Sequence, residues 1–140
     1  MASASVHRQK ADLCWTLAER YYAEKRHEFL CMNLIMYAVG HWIEAALAVL
    51  DKHPSAPPRG VPHADRETQM RRHLVGGKWL EGQAADRYAE MVARRHTFAE
   101  GGIQDRPFIE RYMDLARPLV AELRALLRTP PFDPERGGRG

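Results

Sequence analysis

Polar residues interrupt the most apolar stretch of the chain at helical spacing. From Phe29 to Leu50 the sequence reads FLCMNLIMYAVGHWIEAALAVL, with Asn33, Tyr37, His41 and Glu44 at i, i+4, i+8 and i+11. At about 100° per residue the four fall within roughly 80° of one another on a helix. Leaving such groups buried and unpaired would cost roughly 1–3 kcal/mol each, and more for a charge. They are therefore expected to pair among themselves, with another helix or chain, or with a ligand.

The remaining pattern is also helical. Val, Ile and Thr are scarce, strict alternation is absent, and Ala, Leu, Glu, Arg and Met abound. A first helix is expected from Ser5 to Glu24, with Leu13, Leu17 and Tyr21 as its inner face, and a second from Lys25 to Asp51. The run KHPSAPPRGVP, with Pro54, Pro57, Pro58 and Pro62, ends the second. A shorter helix is expected from His63 to Leu74, closed by Gly76-Gly77. Another spans Leu80 to Phe98, with Ala84, Tyr88, Met91 and Val92 inward and Gly101-Gly102 as its stop. The last starts after Pro107 and runs to Arg128 on Phe108, Tyr112, Leu115, Leu119, Leu123 and Leu126, with Pro118 kinking or breaking it. The fold class predicted is all-α: an antiparallel up-and-down four-helix bundle with one extra short helix. Residues 1–128 form a single domain, and 129–140, TPPFDPERGGRG, read as a disordered tail.

At 140 residues the chain can bury a core without staples. Its first residues, MASASVHRQK, lack the apolar core of a secretory signal. Once Asn33, His41 and Glu44 are counted, no membrane span is expected. Cys14 and Cys31 have no metal-like spacing and read as reduced core residues of a cytoplasmic protein. A net charge of +3 permits an anionic partner without specifying one.

The short helix carries a stripe of its own: His63, Arg66, Met70 and His73 at i, i+3, i+7 and i+10. Glu44 is the natural acceptor for the planar fork of Arg66. Two facing stripes would gather arginine, histidines, glutamate, tyrosine and asparagine, a set suited to a phosphodiester. The guanidinium would hold phosphate charge and a histidine would move a proton. The same residues also suit a purely structural network that fixes the loop crossing onto the bundle.

The segment YAVGHWIEAALAVL, a Pro-rich turn and then HADR resembles the small bacterial HEPN domains, which carry Tyr-x3-His-x2-Glu-Ala followed by His-x2-Arg. Tyr37, His41, Glu44, Ala45, His63 and Arg66 stand at the matching places. RYAEMVARRHTFAEGG and ERYMDLARPLV resemble that family's third and fourth helices, so the likeness covers residues 10 to 125. It implies an antiparallel four-helix bundle and a homodimer, with RNA or nucleotide as ligand and a nucleotidyltransferase-type antitoxin as partner. The setting it implies is toxin–antitoxin or defence. Its nucleases carry Arg-x4-6-His, often with Asn, Asp or His directly after the Arg. Here Arg66-x6-His73 is followed by Glu67, and Arg20-x6-His27 meets the bare spacing equally. In a metal-independent, cofactor-free ribonuclease Arg66 would stabilise the phosphorane and His73 or His63 would serve as acid and base. Asn33, Tyr37, His41 and Glu44 would bind or support, with Glu44 orienting Arg66.

Two other classes remain open. A di-iron bundle needs paired Glu-x-x-His motifs, and only Glu24-x2-His27 is present; His41, His63 and His73 could supply three imidazoles to zinc or nickel. The alternative to an enzyme is a non-catalytic homodimeric binding or interaction module. Its polar stripe would be a buried structural network or a register device across a two-fold axis.

Overall fold

A computed structural model describes residues 3–50, 63–101 and 106–133, apart from the side chains of 63–64 and 97–101. The Pro-rich segment 51–62 and the tail beyond 133 lie outside the described residues. Every regular element among the described residues is helical, in the order α1 (Ala4–Ala23), α2 (Glu28–Val49), α3 (His63–Gln69), a π-helical turn (Met70–Val75), α4 (Gly82–Gly101) and α5 (Arg106–Leu126). Ser3 starts α1 by accepting a hydrogen bond from the Val6 N–H at 3.2 Å. The tight link to α2 bends through left-handed Lys25 and His27, with Glu24 ion-paired to Arg26 at 2.8 Å.

Helix α2 is the centre of the core, and α1 lies antiparallel along it. His7 meets His41 near one end, the Cys31 thiol donates to the Ala18 carbonyl at 3.3 Å, and Tyr21 packs on His27 at the other. The inner face of α1 is His7, Ala11, Trp15 and Ala18, not the expected Leu13 and Leu17. Leu13 is 63% exposed. Small alanines let the two helix backbones approach closely, whereas leucines at those positions would hold them apart. Trp15 and Trp42 then pack in a tilted pair with ring centres 6.2 Å apart. Helices α4 and α5 close the core with Ala84, Tyr88 and Met91 facing Tyr112, Leu119 and Leu123.

Two prolines fall inside α5. Pro107 occupies its first turn, where no N–H is needed. Of the kink or break expected at Pro118, there is no break: the helix runs uninterrupted through it. Pro118 and Asp114 are both exposed, so the carbonyl that proline leaves without its usual donor faces water. Part of the expected tail is folded. Thr129–Asp133 fold into a turn, with the Phe132 N–H donating to the Thr129 carbonyl at 2.8 Å and the Phe132 ring 1% exposed.

By length and mean hydropathy (1.3 over its best window) α2 is apolar enough to cross a bilayer. Burial of 72% of that window inside the fold accounts for its apolarity. Both cysteines are free. Burial pushes the Cys31 thiol up to about 11, and raises Cys14 as well.

Candidate functional site

The polar stripe of α2 lies along its outer flank, in the seam between α1 on one side and α3 with α4 on the other. Asn33, His41 and Glu44 each meet a different neighbour. The Asn33 side-chain carbonyl accepts from Arg95 Nε at 3.0 Å, while its amide donates to the Phe29 carbonyl at 3.1 Å. Tyr37 is 61% exposed. His41 faces His7 across the α1–α2 contact, Nδ1 to Nδ1 at 2.9 Å.

Glu44 is buried, and its Oε2 accepts from Arg66 Nη2 at 3.1 Å. Arg66 Nη1 in turn donates to the Tyr88 hydroxyl at 3.1 Å. Helix α3 supplies Arg66, α2 supplies Glu44 and α4 supplies Tyr88, so one guanidinium joins three helices. Its side chain is only 11% exposed, and that of Glu44 6%. Burial is the strongest single influence on Arg66 and works against its charge, but Tyr88 and Glu44 together hold its pKa above the ordinary value. Burial raises the Tyr88 phenol, against the pull of Arg66. At neutral pH Arg66 is therefore a cationic fork and Tyr88 a neutral phenol.

The guanidinium fits because residue 40 has no side chain. A Cβ there would stand 3.0 Å from Arg66 Nη1 and 3.1 Å from its Cζ, closer than carbon atoms pack without strain.

Among the expected site residues, then, Glu44 and Arg66 are brought together as anticipated. Tyr37 is turned to solvent, and Asn33 and His41 join other partners. The side chain of His63, the first residue of α3, lies outside the described residues. His73 is half-buried in the π-helical turn, between the buried Met70 and Leu74. That turn closes at Gly76, where a Cβ would stand 2.3 Å from the Arg72 carbonyl oxygen, so only glycine fits. The adjacent arginines Arg71-Arg72 and Arg94-Arg95 are partly neutralised: Arg71 by Glu67 and Asp86, at 2.9 and 3.0 Å, and Arg94 by Glu90.

Sequence reasoning missed His7, Tyr88 as a polar partner, and Arg95. His7 shares the phase of Ala11, Trp15 and Ala18, and that spacing was the signal available for it. His7, His41 and Glu44 each offer a donor atom, and all three atoms lie within 4.8 Å of one another. Burial, the strongest influence on His41, lowers its pKa; Glu44 opposes the shift, and Lys10 and Arg66 reinforce it. Searches against protein-family models, curated proteins and solved structures returned no match to this chain.

Proposed function

We propose that the chain is a HEPN-like antiparallel four-helix bundle that acts as a homodimeric binding module in the cytoplasm, without catalysis by Arg66. The observation that carries this reading is the sequestration of Arg66. A guanidinium that serves a phosphorane must reach it, and this one is buried and already bonded to Glu44 and Tyr88. Freeing it would leave Glu44 as a buried charge without its partner, a change worth about 3–5 kcal/mol. The network therefore suits holding α3 and α4 against α2.

The face left for a partner is the outward side of the first half of α2. Leu30 and Tyr37 are 44% and 61% exposed, with half-buried Leu34 between them at helical spacing. A second copy presenting the same strip would cover both in an isologous contact. Two reduced, free thiols suit the cytoplasm.

The test is sedimentation equilibrium of the wild type and of a Leu30→Glu, Tyr37→Glu variant. The wild type is expected to be a dimer and the variant a monomer of unchanged helical content. A monomeric wild type, or a variant that still dimerises, overturns the reading.

One observation favours a second reading, ribonuclease action within the same family. His73 lies in a π-helical turn, a distortion frequent at functional sites, beside the exposed Arg72. On that reading the purified protein cleaves single-stranded RNA without added metal and His73→Ala abolishes cleavage. An inactive wild type removes it.

A further inference from the structure

His7 sits in the second turn of α1, and His41 and Glu44 are one turn apart on the same side of α2. The two imidazoles meet through the same ring atom, Nδ1 to Nδ1 at 2.9 Å. Two lone pairs cannot face each other at that distance. Either one ring carries its proton on Nδ1 and donates it to the other, or a cation is shared by both. The Glu44 carboxylate completes a triangle of donor atoms, each within 4.8 Å of the others.

We propose that His7, His41 and Glu44 form a binding site for one divalent transition-metal ion, zinc by its donor set, that ties the start of α1 to the middle of α2. This goes beyond the proposed function and does not depend on it. Two imidazoles and a carboxylate are a recurrent protein ligand set for zinc that leaves the fourth position to water. His7 and Glu44 are 6% and 5% exposed, while His41 is only half-buried. The site is thus walled on two sides and reachable from the third. Tetrahedral zinc with Zn–N near 2.0–2.1 Å needs its two nitrogens about 3.3 Å apart, so the rings have to part by a few tenths of an ångström. Both histidines must then carry their remaining proton on Nε2. With both rings neutral beforehand, this is a change of tautomer and no proton is released.

Glu44 has the outer support that metal ligands usually have. Arg66 holds Glu44 through Oε2 and is itself held by Tyr88, so the carboxylate is oriented before an ion arrives. Arg66 and Lys10, whose charges both act on His41, also repel a cation. The site should therefore bind more weakly than a closed four-ligand structural zinc site. The donor set differs from the three imidazoles that the sequence suggested: His41 is retained, but its partners are His7 and Glu44.

The experiment is cobalt titration of tag-free, chelator-stripped protein, followed by the visible d–d absorption of four-coordinate cobalt. One equivalent per chain is expected, displaced by zinc. His7→Gln should abolish the bands, and His27→Gln, at an exposed position, should leave them intact. Long-range nitrogen NMR of the wild type with zinc needs no variant, and should move the Nδ1 resonances of His7 and His41. Absence of the bands, their survival in His7→Gln, or zinc shifts confined to other histidines would each overturn the proposal.

Discussion

A glycine inside a helix normally costs about 0.5–1 kcal/mol relative to alanine, yet Gly40 occupies the middle of the most buried helix of this chain. Its neighbour explains it, because the Arg66 guanidinium rests where a Cβ would project. Gly40→Ala should therefore forfeit the usual helix benefit and destabilise the protein by about 1 kcal/mol, since the fork must slide off Glu44 or Tyr88. In a background of Arg66→Ala with Glu44→Leu, which removes both members of the ion pair, the same substitution should instead stabilise by about 0.5–1 kcal/mol. Urea unfolding of the four proteins reads the coupling directly. Stabilisation by Gly40→Ala in both backgrounds would mean that Arg66 is not held where its two hydrogen bonds place it.

Among the elements, α1 shows what composition hides. Ranking residues by hydrophobicity selects Leu13 and Leu17 as its inner face, but the helix turns Ala11, Trp15 and Ala18 to α2. Leu13→Lys should accordingly change stability by no more than about 0.5 kcal/mol, while Ala18→Leu should cost about 1–3 kcal/mol by forcing α1 away from α2. Thermal melts that reversed this order would show the phase of α1 to be the leucine one. Helix existence and approximate extent were legible because Gly and Pro punctuate the chain and the apolar period is clear. The Glu44–Arg66 pair was legible because a lone carboxylate in an apolar run demands a cation. His7 was legible only through its spacing with Ala11, Trp15 and Ala18, since an imidazole on an alanine-rich face carries no hydrophobic signal. The π-helical turn at Met70–Val75 was not legible; it shifts the phase of His73 relative to Arg66 and undoes the single stripe that straight α-helical counting gives.

Across the whole molecule, two distant parts of the chain converge on Phe132. Its ring meets Trp79 edge-on, with centres 4.8 Å apart, just after the π-helical turn. Its carbonyl accepts from Arg8 of α1 at 3.4 Å. The Thr129 hydroxyl donates to the Leu126 carbonyl at 2.7 Å and folds the chain back at the end of α5. A segment whose composition reads as a tail thus links the N-terminal helix, the connection before α4 and the end of α5, because one buried aromatic ring outweighs the prolines and glycines around it. Phe132→Ala should cost about 3–5 kcal/mol, the range for emptying a buried aromatic site. Trp79, already 40% exposed, should lose its ring contact, and its fluorescence should shift to the red. Chain ending after Arg128 should show the same loss in one cooperative transition, whereas chain ending after Asp133 keeps residues 129–133 and should melt above it. Equal melting of all three would mean that residues 129–133 add nothing to the fold and that the domain closes at the end of α5.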